Sequence, residues 1–80
     1  MERATYTVLV TYDEPSEAYI ALVPDVPGCI SQGETRQEAL QNVKHDLEAC
    51  LEVMRGTGEE VPLPHGYELD QVTVSLPVGV

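Results

Sequence analysis

Eighty residues, 42% of them hydrophobic, suffice for one domain near the size below which folded chains rely on disulfides, metals or partner subunits, so self-association is expected. Phe and Trp are absent, so the core must come from Val, Leu, Ile, Met, Ala and the bodies of four tyrosines, which favours a thin two-layer fold. Fourteen Asp and Glu against four Lys and Arg give a formal charge of -10, a field that disfavours direct contact with nucleic acid or anionic membrane and speeds encounter with a basic protein.

Thr5 to Tyr12 alternates, with Tyr6, Val8, Val10 and Tyr12 on one face and Thr5, Thr7, Leu9 and Thr11 on the other, which predicts a first strand. The polar stretch Asp13 to Glu17 is short enough for a hairpin, and the apolar run Ala18 to Val23 is too short for a helix, so a second, antiparallel strand follows. Pro24 and Pro27 each remove a backbone donor, and Pro27-Gly28 suits the central positions of a type II turn. The chain therefore reverses, Cys29 to Gln32 returns as a third strand, and Gly33 marks a sharp exit from the sheet. Thr35-Arg36-Gln37-Glu38 has the form of a capping box, with the Thr35 hydroxyl accepting from the Glu38 amide and the Glu38 carboxylate reaching back to the Thr35 amide. Beyond it Leu40, Val43, Leu47, Cys50, Leu51 and Met54 recur at three- and four-residue steps, predicting one amphipathic helix that ends at Gly56. Thr57 to Asp70 carries two glycines and two prolines and reads as a loop, and Gln71 to Leu76 alternates again, predicting a fourth strand. The expected fold is α+β, a β-β-β-α-β two-layer sandwich with one helix on a small, mainly antiparallel sheet.

Candidate chemistry is sparse. A metal-dependent nuclease needs carboxylates projecting from strand interiors, and Thr5 to Tyr12 has none. Asp13, Glu14 and Glu17 cluster only in the hairpin loop, without a rigid frame for a cation. His45 and His65 stand in no recognisable ligand spacing, Cys29 has no neighbouring cation in sequence to lower its pKa, and Gly28 and Gly33 flank a strand instead of opening a phosphate-binding helix. Cys29 and Cys50 read as two small core thiols. No catalytic residue, cofactor or metal site is expected. The chain opens without a positively charged leader and contains no apolar run near the ~20 residues of a membrane span, which predicts a cytoplasmic protein.

Pro24-Asp25-Val26-Pro27-Gly28-Cys29, then Gln32-Gly33-Glu34-Thr35 and Glu38-Ala39, preceded by Tyr19 on the second strand, resembles the N-terminal domain of HicB family antitoxins and their short stand-alone relatives. The similarity extends over roughly Thr5 to Pro64, including the Glu59 to Pro64 stretch Glu-Glu-Val-Pro-Leu-Pro. The resemblance implies a partly degraded ribonuclease H-like fold without the nuclease carboxylates. It also implies a protein partner, a small basic HicA-type toxin that cleaves mRNA and is neutralised when its RNA-facing surface is covered. Full-length members carry a C-terminal DNA-binding domain; residues 1–80 are expected to form a single HicB-like domain without one. A second reading is an orphan oligomeric scaffold or small-ligand-binding module derived from an antitoxin, and a third is an enzyme or RNA-binding protein keeping nuclease character. Homo-oligomerisation, as a dimer or tetramer, is expected because a sheet covered by one helix leaves a face or an edge open, with Tyr6, Tyr12 and Tyr19 available to an interface. Within the motif stretch Asp25 has no evident backbone duty, which makes it the candidate partner-binding residue, with an Asx-type hydrogen bond that stiffens the turn as the plainer reading.

Overall fold

The computed structural model describes residues 3–79. It contains three strands and one helix, β1 (Leu9–Asp13), β2 (Ala18–Leu22), β3 (Ile30–Gly33) and α1 (Arg36–Thr57). The strands form an antiparallel meander in the order β1-β2-β3, so the class is α+β, as the sequence pattern predicts. Val10 pairs with Ala21, Tyr12 with Tyr19, Ala21 with Ser31 and Tyr19 with Gly33. Because side chains alternate across a strand, that set shares the face against α1. Leu9, Thr11, Ile20, Leu22, Ile30 and Gln32 share the other face.

Two expectations are corrected. The first strand begins at Leu9 and not at Thr5, because Leu9 pairs with Leu22, the last residue of β2. Past Leu22 the chain turns away, leaving Thr5 to Val8 nothing to pair with, although Tyr6 and Val8 still pack against the core as their alternation requires. The second correction is larger. Gln71 to Leu76 forms no strand among the described residues, so the order is β-β-β-α and the sheet has three strands. An alternating sequence becomes a strand only where another backbone accepts its hydrogen bonds and cross-strand neighbours pack on it. Here Val72, Val74 and Leu76 are 86%, 67% and 70% exposed.

The turns follow local chemistry. The Cys29 amide donates to the Val26 carbonyl at 3.0 Å, and Gly28 between them has φ +87°, the left-handed position that a type II turn demands. The Thr35 hydroxyl accepts from the Glu38 amide at 3.0 Å, as the capping box predicts, but the Glu38 carboxylate accepts from the Glu34 amide at 3.4 Å instead of from Thr35. The helix runs 22 residues, about 33 Å, and ends one residue later than expected, at Thr57, with Gly58 as its left-handed cap. Gly33 sits where the helix start crosses the sheet; a Cβ built there would lie 2.5 Å from the Ala39 nitrogen and 2.9 Å from the Glu38 carbonyl carbon. No other residue type fits that crossing unless the helix moves.

The core is small. Ala21, Val23, Val26, Cys29, Ala39 and Val43 form its buried cluster, with Tyr6, Val8, Val10, Tyr19, Leu47, Cys50, Leu51 and Met54 half-covered around it. The largest fully buried side chains are valines. The accessible surface is 6932 Å², roughly 2,100 Å² more than a compact chain of this mass exposes. The extents, 52 × 27 × 20 Å, and the radius of gyration of 15.8 Å, against about 12 Å for a compact chain of this length, reflect a C-terminal segment lying away from the core.

Candidate protein-binding surface

The motif residues fall at the two ends of β3. At one end Pro24, Asp25, Val26, Pro27 and Gly28 make two consecutive turns, the Val26 amide donating to the Val23 carbonyl at 3.1 Å and the Cys29 amide to Val26. The Val23 amide closes the pair of turns on the Cys29 carbonyl at 3.1 Å. Val23, Val26 and Cys29 thereby point inward and are buried. At the other end Gly33, Thr35, Glu38 and Ala39 set the crossing of sheet and helix, beside Tyr19, whose ring meets that of Tyr12 edge-on at 5.1 Å. Cys29 and Cys50 are free thiols, as expected. Burial, and then proximity to Cys50, push the Cys29 thiol above its ordinary pKa, which works against nucleophilic use.

Asp25 has a structural duty that sequence reading missed. Its side chain is 5% exposed, and its carboxylate accepts from the His65 amide (2.9 Å) and the Tyr67 hydroxyl (2.5 Å) and contacts His65 Nδ1 (2.8 Å). The Tyr67 hydrogen bond is the main cause that holds its carboxyl below the usual range, with the His65 contacts adding to it. Tyr67 is raised in turn by the same bond. Nearby, the Tyr6 hydroxyl donates to the Pro62 carbonyl at 2.5 Å. Together these contacts fasten residues 62–67 to the turn end of the sheet. A 40-residue separation leaves no spacing signal for such a contact; the only hint was an acidic side chain in a tight turn without a local partner.

At the opposite end an open, polar cleft of about 770 Å³ is lined by Tyr12, Ser16, Glu17, Ala18, Gln32, Gly33, Glu34 and Glu38. Three acidic residues from three separate segments, the hairpin turn, the strand exit and the first helical turn, line it. Glu17 is held in place by a φ of +52° and by its amide on the Glu14 carbonyl at 3.2 Å. The loop cluster of Asp13, Glu14 and Glu17 does not converge, because the Asp13 carboxylate accepts from the Ser16 amide and hydroxyl. No group of three or more His, Cys, Asp or Glu among the described residues could hold a metal ion. The cleft presents acidic, hydrogen-bonding groups, which suit cationic groups in general. A second open surface is apolar: Leu9, Leu22 and Ile30 on the sheet face away from α1 are 38%, 37% and 56% exposed. No helix among the described residues is long and apolar enough to cross a membrane.

Comparison with known proteins agrees with the motif stretch. A family described as the HicB-like antitoxin of bacterial toxin–antitoxin systems matches residues 6–76. A UPF0150 protein of Thermoplasma acidophilum is 39% identical over 64 residues, covering 80% of this chain and 91% of that protein. A UPF0150 protein of Thermotoga maritima is 33% identical over 72 residues, covering 90% and 92%. A protein named Antitoxin HicB 1, from Photorhabdus laumondii, is 37% identical over 68 residues, covering 82% of this chain and 44% of its own length. The motif from Tyr19 to Ala39 lies inside the matched span, as do the Asp25 contacts and the alternating C-terminal segment, and the chain belongs to the HicB-like antitoxin family.

Proposed function

We propose that this protein is a non-catalytic antitoxin that binds a small basic HicA-type, mRNA-cleaving toxin and neutralises it by covering its RNA-binding and active surface. The observation that carries this reading is the cleft of Glu17, Glu34 and Glu38 on a family member with a formal charge of -10. A ribonuclease must present cationic groups to RNA, and a surface lined by carboxylates competes for those groups. Residues 1–80 act as one binding domain, partly degraded from a ribonuclease H-like ancestor, in the cytoplasm, as a homo-oligomer. Asp25, its carboxylate engaged by His65 and Tyr67, acts on partner binding through the segment it fastens, residues 62–67.

Titration calorimetry against a HicA-type toxin at low and at high salt tests the proposal. Tight binding that weakens as salt rises is expected, and Glu17→Lys with Glu34→Lys should weaken it by about tenfold or more. Absence of binding at low ionic strength sinks the reading. The open apolar face of Leu9, Leu22 and Ile30 favours a second reading, an oligomeric scaffold without a toxin; it predicts assembly but no heat with any basic ribonuclease.

A further inference from the structure

The C-terminal segment and the sheet edge each lack the partner that the other supplies. Gln71 to Leu76 alternates with strand period, and from Gln71 through Gly79 the chain has no charged residue. After the Gln71 amide bonds to the Asp70 side chain, none of the described hydrogen bonds outside the helix and strands involves residues 72–79. Its apolar side chains face solvent, so the segment does not lie on its own sheet.

The open edge is that of β1, which pairs only with β2. The other outer strand, β3, is partly covered by the helix: Asn42 donates to the Gln32 carbonyl at 2.8 Å, and the Ser31 hydroxyl donates to the Asp46 carboxylate. Leu9 to Tyr12 of β1 carry no charge and no proline, the devices that ordinarily blunt an edge against strand addition, and the one charge of the strand, Asp13, stands at its hairpin end. Among the described residues the protein's own tail does not pair with this edge. Residues 62–67 are held at the turn end of the sheet by Tyr6 and Asp25, and Leu69, 86% exposed, lines an open surface with Val8 to Tyr12 without pairing to β1. The alternating segment begins two residues later and forms no strand with its own sheet.

We propose that Gln71–Leu76 adds as a fourth strand to the β1 edge of a second copy, and that the second copy returns the same strand. Such an exchange is isologous and closes at two chains. It deepens the homo-oligomer reading given above and does not depend on the toxin. Size is sufficient: each chain exposes roughly 2,100 Å² beyond a compact fold, and obligate dimer interfaces bury about 2,000 Å² or more in total. Pro77, without an amide proton, ends the added ladder at Leu76. Charge supplies a signature. Two chains of -10 repel each other, but the exchanged strand and residues 9–12 of its edge are uncharged, so added salt screens the repulsion and strengthens the dimer. Toxin binding has the opposite salt dependence.

Sedimentation equilibrium of the whole chain at low and high salt, with isotope-filtered nuclear Overhauser spectra of a mixture of differently labelled chains, tests the exchange. A dimer that tightens with salt and gives interchain contacts between residues 71–76 and 8–12 is expected. Val74→Pro, which removes one ladder amide and one buried side chain, should weaken dimerisation by more than about tenfold with helix content unchanged. A monomer at every salt overturns both this inference and the oligomer reading. A dimer whose labelled spectra show the 71–76 contacts only within one chain, or one that Val74→Pro leaves intact, overturns the exchange alone. The spectra need no variant, so a Val74→Pro chain that fails to fold leaves the test standing.

Discussion

Gly33→Ala tests how tightly the sheet exit and the helix start are coupled. The added methyl would sit 2.5 Å from the Ala39 nitrogen and 2.9 Å from both the Glu38 carbonyl carbon and the Glu38 Cβ. Two of the three obstacles are backbone atoms of the first helical turn, which cannot rotate aside as a side-chain tip would. Relief requires the helix to lift from β3, and Ala39, fully buried, and Val43, 1% exposed, lift with it. Overpacking of this kind costs about 1–3 kcal/mol, and contact with rigid backbone places Gly33→Ala near the top of that range. In a domain of this size ~3 kcal/mol lowers the melting midpoint by roughly 12–24 °C. Far-UV circular dichroism through urea and thermal unfolding measures it, with Gly66→Ala as control because a Cβ there meets nothing within 4 Å. If Gly33→Ala melts within about 3 °C of the parent, less than ~1 kcal/mol has been lost and the crossing is not the constraint described.

Thr35→Ala removes the hydroxyl that accepts from Glu38 and should cost about 1 kcal/mol, largely restored by Thr35→Ser, as read from the same unfolding curves. The Asp25 contacts should be present above the ordinary carboxylate pKa and be lost as pH falls through the depressed folded value; because Tyr67 is raised, they also give way in alkali as pH climbs through its folded value. Amide exchange at His65 followed against pH reports both limits, and Asp25→Asn should remove the acid limit. Cys29, buried and raised, should react with iodoacetamide far more slowly than the half-buried Cys50; equal rates by mass spectrometry would contradict the packing of the turn.

What the sequence made legible is what local chemistry decides. Val8 and Val10 face inward because a period of two permits nothing else once one face is covered. The Pro27-Gly28 turn, the Thr35 cap and the helical stripe through Val43 and Leu47 were readable for the same reason: each depends on residues within four positions of one another. The strand from Gln71 was read from an equally clean alternation, yet pairing is a property of two segments, and only one of them is in the pattern. Asp25 with His65 and Tyr67, and the cleft of Glu17, Glu34 and Glu38, join segments whose proximity is created by the fold, so composition announced the charge without locating it.

The motif stretch thus works from within. Its turns bury Val23, Val26 and Cys29, and its cap and glycine seat the helix, so backbone geometry does much of what large core side chains do elsewhere. A core whose largest fully buried members are valines leaves leucines and isoleucines on the surface, and the chain gains stability when another surface covers them. Apolar strand and face on one hand, acidic cleft on the other, therefore invite two different kinds of contact, one strengthened by salt and one weakened. The proposed strand exchange uses the β1 edge, and the proposed toxin contact uses Glu17, Glu34 and Glu38, so the two contacts do not compete for one surface.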